Sequence, residues 1–82
     1  MNENMIHEAL LSVRQADAAI IEAQANSSSS AYQNAKNMML TAEDMLHKAG
    51  DGTTEEEKKS LHRAKEYMKH LKETQAAIED RQ

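Results

Sequence analysis

Met45-Leu46-His47-Lys48-Ala49-Gly50-Asp51-Gly52-Thr53-Thr54-Glu55-Glu56-Glu57-Lys58-Lys59-Ser60-Leu61, residues 45–61, holds both glycines of the 82-residue chain, with the end of one helical pattern before them and the start of another after. Gly50 follows the last apolar residue of the upstream pattern, where a helix commonly needs a positive φ to close its carbonyls. Thr53 or Thr54, with Glu56 or Glu57 three residues on, reads as a capping box, and the Glu55-Glu56-Glu57 cluster suits the positive end of a helix dipole. The stretch therefore predicts a chain reversal between two helices. There is no Pro and no Cys anywhere, so few residues outside this turn oppose helix formation.

Downstream, Leu61, Ala64, Met68, Leu71, Gln75 and Ile78 step by three and four in strict alternation, the spacing of a left-handed seam against antiparallel neighbours. At 1.5 Å per residue a helix over 54–80 is about 40 Å long. It is the longest of the segments, so its C-terminal turns are expected to overhang, frayed or paired with another copy. Tyr67 borders the seam, its hydroxyl expected to reach solvent. Upstream, Ala31, Ala35, Met38, Ala42, Met45 and Ala49 share one line, with Met39 and Leu46 alongside. The methionines suit irregular core gaps, and also grooves that accept varied helices.

Near the start, Ile6, Leu10, Val13, Asp17, Ile20 and Gln24 repeat the helical spacing while Ala9, Ala16 and Ala23 widen the stripe. Leu11 and Ile21 fall off its centre and are candidates for a second contact. Asp17 is the one carboxylate at an apolar position. It is expected at the edge of the stripe beside Arg14, or where a second subunit or a basic side chain meets this helix. Asn26-Ser27-Ser28-Ser29-Ser30 then interrupts the pattern with side chains that compete for backbone hydrogen bonds, and Ser30 with Gln33 fits a capping box. Two all-α architectures follow. The first is a three-helix up-down-up bundle at about 4–25, 30–49 and 54–80, one domain over 1–82 and dimeric. The second is a two-helix hairpin with one long helix running through the serines.

Dimerisation is expected because the core is thin. The chain has no Phe or Trp and only two Tyr, and many of its apolar residues are Ala, which removes little area from water. The net charge of -4 is uneven: residues 1–52 carry seven acids and three bases, and residues 53–82 carry seven of each. Lys58, Lys59, Arg63, Lys65, Lys69 and Lys72 face only Glu66 over that span. They form either a solvated face paired with the acidic first part or a docking strip for an acidic partner. An acidic chain argues against general nucleic-acid binding, so an accessory role on nucleic acid through this strip is the alternative function.

Without cysteine there is no disulfide scaffold and no thiolate. The start lacks the pattern of a secretory signal, and no run is apolar enough to span a membrane. A cytoplasmic location is the expectation. Phosphate loops, nucleophile elbows and His-Glu-x-x-His are missing, so no enzyme activity and no cofactor is expected. His62, Glu66 and His70 share a helix face by their spacing and make metal binding a distant alternative. His47, near a helix C-terminus, suits the negative dipole end when protonated.

The order Gln15-Ala16-Asp17-Ala18-Ala19, Ala35-Lys36-Asn37-Met38-Met39 and Glu55-Glu56-Glu57-Lys58-Lys59-Ser60-Leu61 resembles, in texture over most of the chain, small all-helical uncharacterised proteins of spore-forming Gram-positive bacteria. That resemblance implies a bacterial cytoplasmic protein and no particular activity. Hairpin regulators of sporulation response regulators are similar in size, but their Ser-Gln-Glu-Leu-Asp motif has no counterpart here. Secreted hairpins with a Trp-x-Gly turn are similar in shape, and Gly50-Asp51-Gly52 lacks the Trp. The reading is a small non-catalytic protein-interaction module, homodimeric, with Leu11, Ile21 and the basic residues between 58 and 72 as its partner surface.

Overall fold

The computed structural model describes the backbone of residues 2–81 and the side chains of residues 5–80. Three helices follow in order, α1 (Asn2–Ala25), α2 (Ser29–Ala49) and α3 (Glu55–Arg81), with no strand among the described residues. The chain therefore does not form the long-helix hairpin. Its first helix stops at the serine run, where the Asn26 N–H closes the last turn on the Glu22 carbonyl at 2.8 Å.

The cap of α2 is Ser28, not Ser30. Ser28 is extended (φ -84, ψ 152), and its Oγ accepts from the Ala31 N–H at 3.1 Å. Its carbonyl accepts from the Tyr32 N–H at 3.1 Å. Starting there satisfies an orphan donor and brings Ser29 and Ser30 into the helix, both tolerated in a first turn.

At the second reversal Gly50 has φ 72 and ψ -142, and its N–H donates to the His47 carbonyl at 3.3 Å. The φ is positive as expected, but ψ is far from the left-handed helical value, so the turn that follows is not a left-handed helical cap. Gly52 (φ 79) is required twice over, because a Cβ there would sit 2.8 Å from Glu57 Cβ. The capping box is Thr54 with Glu57: the Thr54 Oγ1 accepts from the Glu57 N–H, and Glu57 Oε1 accepts from the Thr54 N–H, both at 3.1 Å. The same oxygen accepts from the N–H and the hydroxyl of Thr53 at 2.9 and 3.0 Å. These donors hold the Glu57 carboxyl below its ordinary range, the Thr53 N–H foremost.

Helix directions follow from the cross-links. Lys65 of α3 reaches Gly50 and Asp51 at the end of α2, and Lys72 reaches Glu43 earlier in it, so α2 and α3 are antiparallel. Ser60 and Ala64 lie by Leu10 and Val13, and Tyr67 reaches Asp17, so α1 and α3 run the same way. The molecule measures 41 × 19 × 16 Å.

All six residues of the α3 seam are buried. In α1 the buried face is turned toward the alanines: Ala9, Ala16, Ala19 and Ala23 are buried with Ile6, Val13 and Ile20, while Leu10 and Asp17 are half-buried and Gln24 is exposed. The reason is that α3 takes the side of Leu10, Val13 and Asp17, leaving the alanine side to α2. There Ala35, Met39, Ala42 and Leu46 are buried, and Met38 and Met45 pack at the margin. α1 packs more extensively on α2 than either does on α3, as small side chains permit close helix approach. The expected overhang of α3 is absent as far as Ile78, which is buried at 6% exposure. α1 is nearly as long as α3, and the two lie side by side.

Candidate partner surface

Leu11 and Ile21 stand clear of the core, 45% and 56% exposed. Ten residues of helix separate them by about 15 Å along the axis and roughly 80° around it, so they do not form one compact patch. Leu11 borders a shallow depression with His7, Leu10 and Arg14. Ile21 lies one turn after Asp17. Leu40 on α2, 54% exposed, belongs with them by the same criterion. Its position off both apolar lines of α2 was the signal for it.

The basic residues of α3 do not make one surface. Lys65, Lys69 and Lys72 line a groove against α2 with Glu43, Leu46, His47 and Met68. Lys58 joins the same side beside Asp51 and His62. Arg63 lies on the α1 side with Arg14, Leu10 and Tyr67, and Lys59 is exposed. Helix geometry divides them, because positions 58, 65, 69 and 72 fall on one flank of the seam, 63 on the opposite flank and 59 on the outer face.

Three of the six are also engaged. Lys65 Nζ meets Asp51 Oδ1 at 3.3 Å and the Gly50 carbonyl at 3.3 Å. Lys72 meets Glu43 at 3.3 Å, and Lys69 meets Glu66 at 3.2 Å. Two of these acids come from the acidic first part of the chain. Such exposed pairs contribute about 0–1 kcal/mol each, enough to orient side chains and little more. Lys58, Lys59 and Arg63 form no ion pair among the described residues.

One tyrosine bonds α3 to α1, and a second, on α2, lies near the end of α3. The Tyr67 hydroxyl does not simply face water: it donates to Asp17 Oδ1 at 2.7 Å, which gives the lone carboxylate of the α1 stripe a partner that is polar but not basic. That hydrogen bond first, then burial and the Asp17 charge, raises the Tyr67 pKa. Tyr32 of α2 faces Glu79 near the end of α3, and its pKa is raised by the Glu79 carboxylate, by burial and by its charge, with an opposing effect from Gln75. The sequence flags Asp17 as unusual, but nothing in it pairs two residues fifty positions apart.

The helix face of His62, Glu66 and His70 does not gather. Glu66 turns to Lys69, and the His70 ring lies 6.0 Å from the Tyr67 ring at 41°. Among the described residues no three His, Cys, Asp or Glu side chains stand close enough to hold a metal ion. No described helix is long and apolar enough to cross a membrane. No family model, curated protein or solved structure matches the chain.

Proposed function

We propose that this chain is a small non-catalytic interaction module of the bacterial cytoplasm, whose first partner is a second copy of itself in a dimer of up-down-up bundles. The observation that carries the reading is Leu11, Ile21 and Leu40, each about half in water, on a bundle whose buried core among the described residues is rich in alanine: Ala9, Ala16, Ala19, Ala23, Ala35, Ala42 and Ala64. Each such aliphatic side chain forfeits on the order of 1 kcal/mol of transfer free energy that a covering partner would recover. Of the bases free of ion pairs among the described residues, Arg63 lies beside Leu10 and Arg14 of α1 and would supply polar contacts at the edge of that helix. With half of its bases engaged by acids, the basic strip offers less to nucleic acid than its composition suggests.

Sedimentation equilibrium over a range of concentrations tests this. The expected mass is twice the 9.2 kDa of the chain, reverting toward monomer in Leu11→Glu or Ile21→Glu with the helical circular dichroism unchanged. A monomer throughout, or tight binding of DNA or RNA at physiological salt, would end this reading.

A further inference from the structure

Beyond Leu71 the seam of α3 changes character. Gln75 is 3% exposed, yet neither its Nε2 nor its Oε1 has a hydrogen-bond partner. Buried amides are nearly always bonded, and one left unmade destabilises the state that buries it. The Tyr32 hydroxyl lies near this amide, close enough for Gln75 to act on the tyrosine, but no contact between them has hydrogen-bond geometry. Just before it, the Thr74 hydroxyl donates back to the His70 carbonyl at 3.1 Å, a bond that competes with the helix ladder and favours bending. After it, Ile78 is the one large apolar side chain that anchors the helix, since Ala76 and Ala77 are exposed.

We propose that residues 72–80 are a strap that opens as a unit while the rest of the bundle stays folded, with Gln75 as the residue that makes it open. In the closed state Ile78 is buried and Tyr32 lies half-buried beside the end of α3. In the open state both amide atoms of Gln75 reach water, the apolar loss is confined to Ile78, and Tyr32 and the start of α2 are bared. Local opening of this kind selects segments with few buried apolar contacts and a polar group that gains by hydration.

Native-state hydrogen exchange on the full chain tests it with two variants. Gln75→Met keeps nearly the same side-chain shape without the amide, and should slow exchange at the Ile78 amide about tenfold. Val13→Ala lies in α1, away from the strap. It should speed exchange at the Met39 and Met68 amides, which need global unfolding, and leave the Ile78 rate where it was. The proposal is overturned if Ile78 accelerates together with Met39 and Met68 in Val13→Ala, because no separate unit then exists. It is equally overturned if Gln75→Met leaves Ile78 unmoved and protection simply declines residue by residue toward the C-terminus, which is ordinary end fraying.

Discussion

Where α1 lies against α2 the buried residues are Ala9, Ala16, Ala19 and Ala23 on one side and Ala35 and Ala42 among those on the other. α3 closes over the pair through Leu61, Met68, Leu71 and Ile78. The alanine interface gains from proximity: its side chains bury little area, and its stability comes from many close atom pairs along two backbones. The α3 interface gains from area removed from water. One kind of interface tolerates no growth, and the other tolerates no loss.

Opposite substitutions sharpen that difference. Leu61→Ala empties a site that is 1% exposed and should cost about 2–5 kcal/mol, lowering the melting temperature by more than roughly 10 °C in a domain of this size. Ala16→Leu adds three carbons where nothing is exposed; overpacking of that kind costs about 1–3 kcal/mol. Thermal melts of the two variants, followed by circular dichroism, decide the matter. If Ala16→Leu melts with the parent, α1 and α2 are not spaced by their alanines and the contrast collapses.

Titration reaches the α3 attachment with a smaller effect. Tyr67 and Tyr32 each have a folded pKa raised above the ordinary 10.0. Their contribution is complete below about pH 10 and is lost as pH rises through the raised folded values. Tyr67 ties α3 to α1 through Asp17 and Tyr32 lies beside the end of α3, so urea midpoints should fall on the alkaline side, and Tyr67→Phe should flatten part of that fall. Glu57 behaves in the opposite sense. Its folded pKa is lowered from 4.5, so its contribution is present above that value and lost as pH drops through the lower folded one. Glu57→Gln should remove that acid dependence. A midpoint independent of pH at both extremes would mean that neither the tyrosine links nor the Thr54 box contributes to holding α3.

The two interfaces also differ in how far they could be read in advance. The α3 seam was legible residue by residue, because strict three-four spacing of large side chains leaves one way to turn the helix inward. The buried face of α1 lies a little to one side of the line its large apolar residues mark. Alanine is a weak marker in any periodicity, and only the presence of α2 and α3 on different sides decides that Ala9, Ala16 and Ala23 lie deeper than Leu10. Leu11 and Ile21 lie outside the core, as their spacing implies, but closeness in sequence does not put six bases on one surface. A helix turns about 100° per residue, and the acids that engage Lys65 and Lys72 lie in other parts of the chain. The Asp17 and Tyr67 pair is of that long-range kind too. The spacing puts Gln75 on the buried seam; that its amide goes unbonded depends on which atoms surround it, which no spacing encodes.

The smallest expected effect tests the premise of the comparison, that α1 and α2 are two helices facing one another. Ser29 is the first residue of α2, directly after the Ser28 cap. A first helical position suits proline, whose fixed φ is already helical and whose missing N–H is one of the orphans there. Ser29→Pro should therefore change stability by no more than about 0.5 kcal/mol, against about 3 kcal/mol for proline inside a helix. The residue before a proline is pushed toward extended backbone, and Ser28 is already extended, so the substitution asks nothing new of the cap. Chemical denaturation of Ser29→Pro beside Met39→Pro separates the two cases. Near-parental stability at Ser29 with collapse at Met39 supports the reversal. Collapse at both would mean that the helix runs on through the serines, and then the alanines of α1 and α2 could not face each other within one chain.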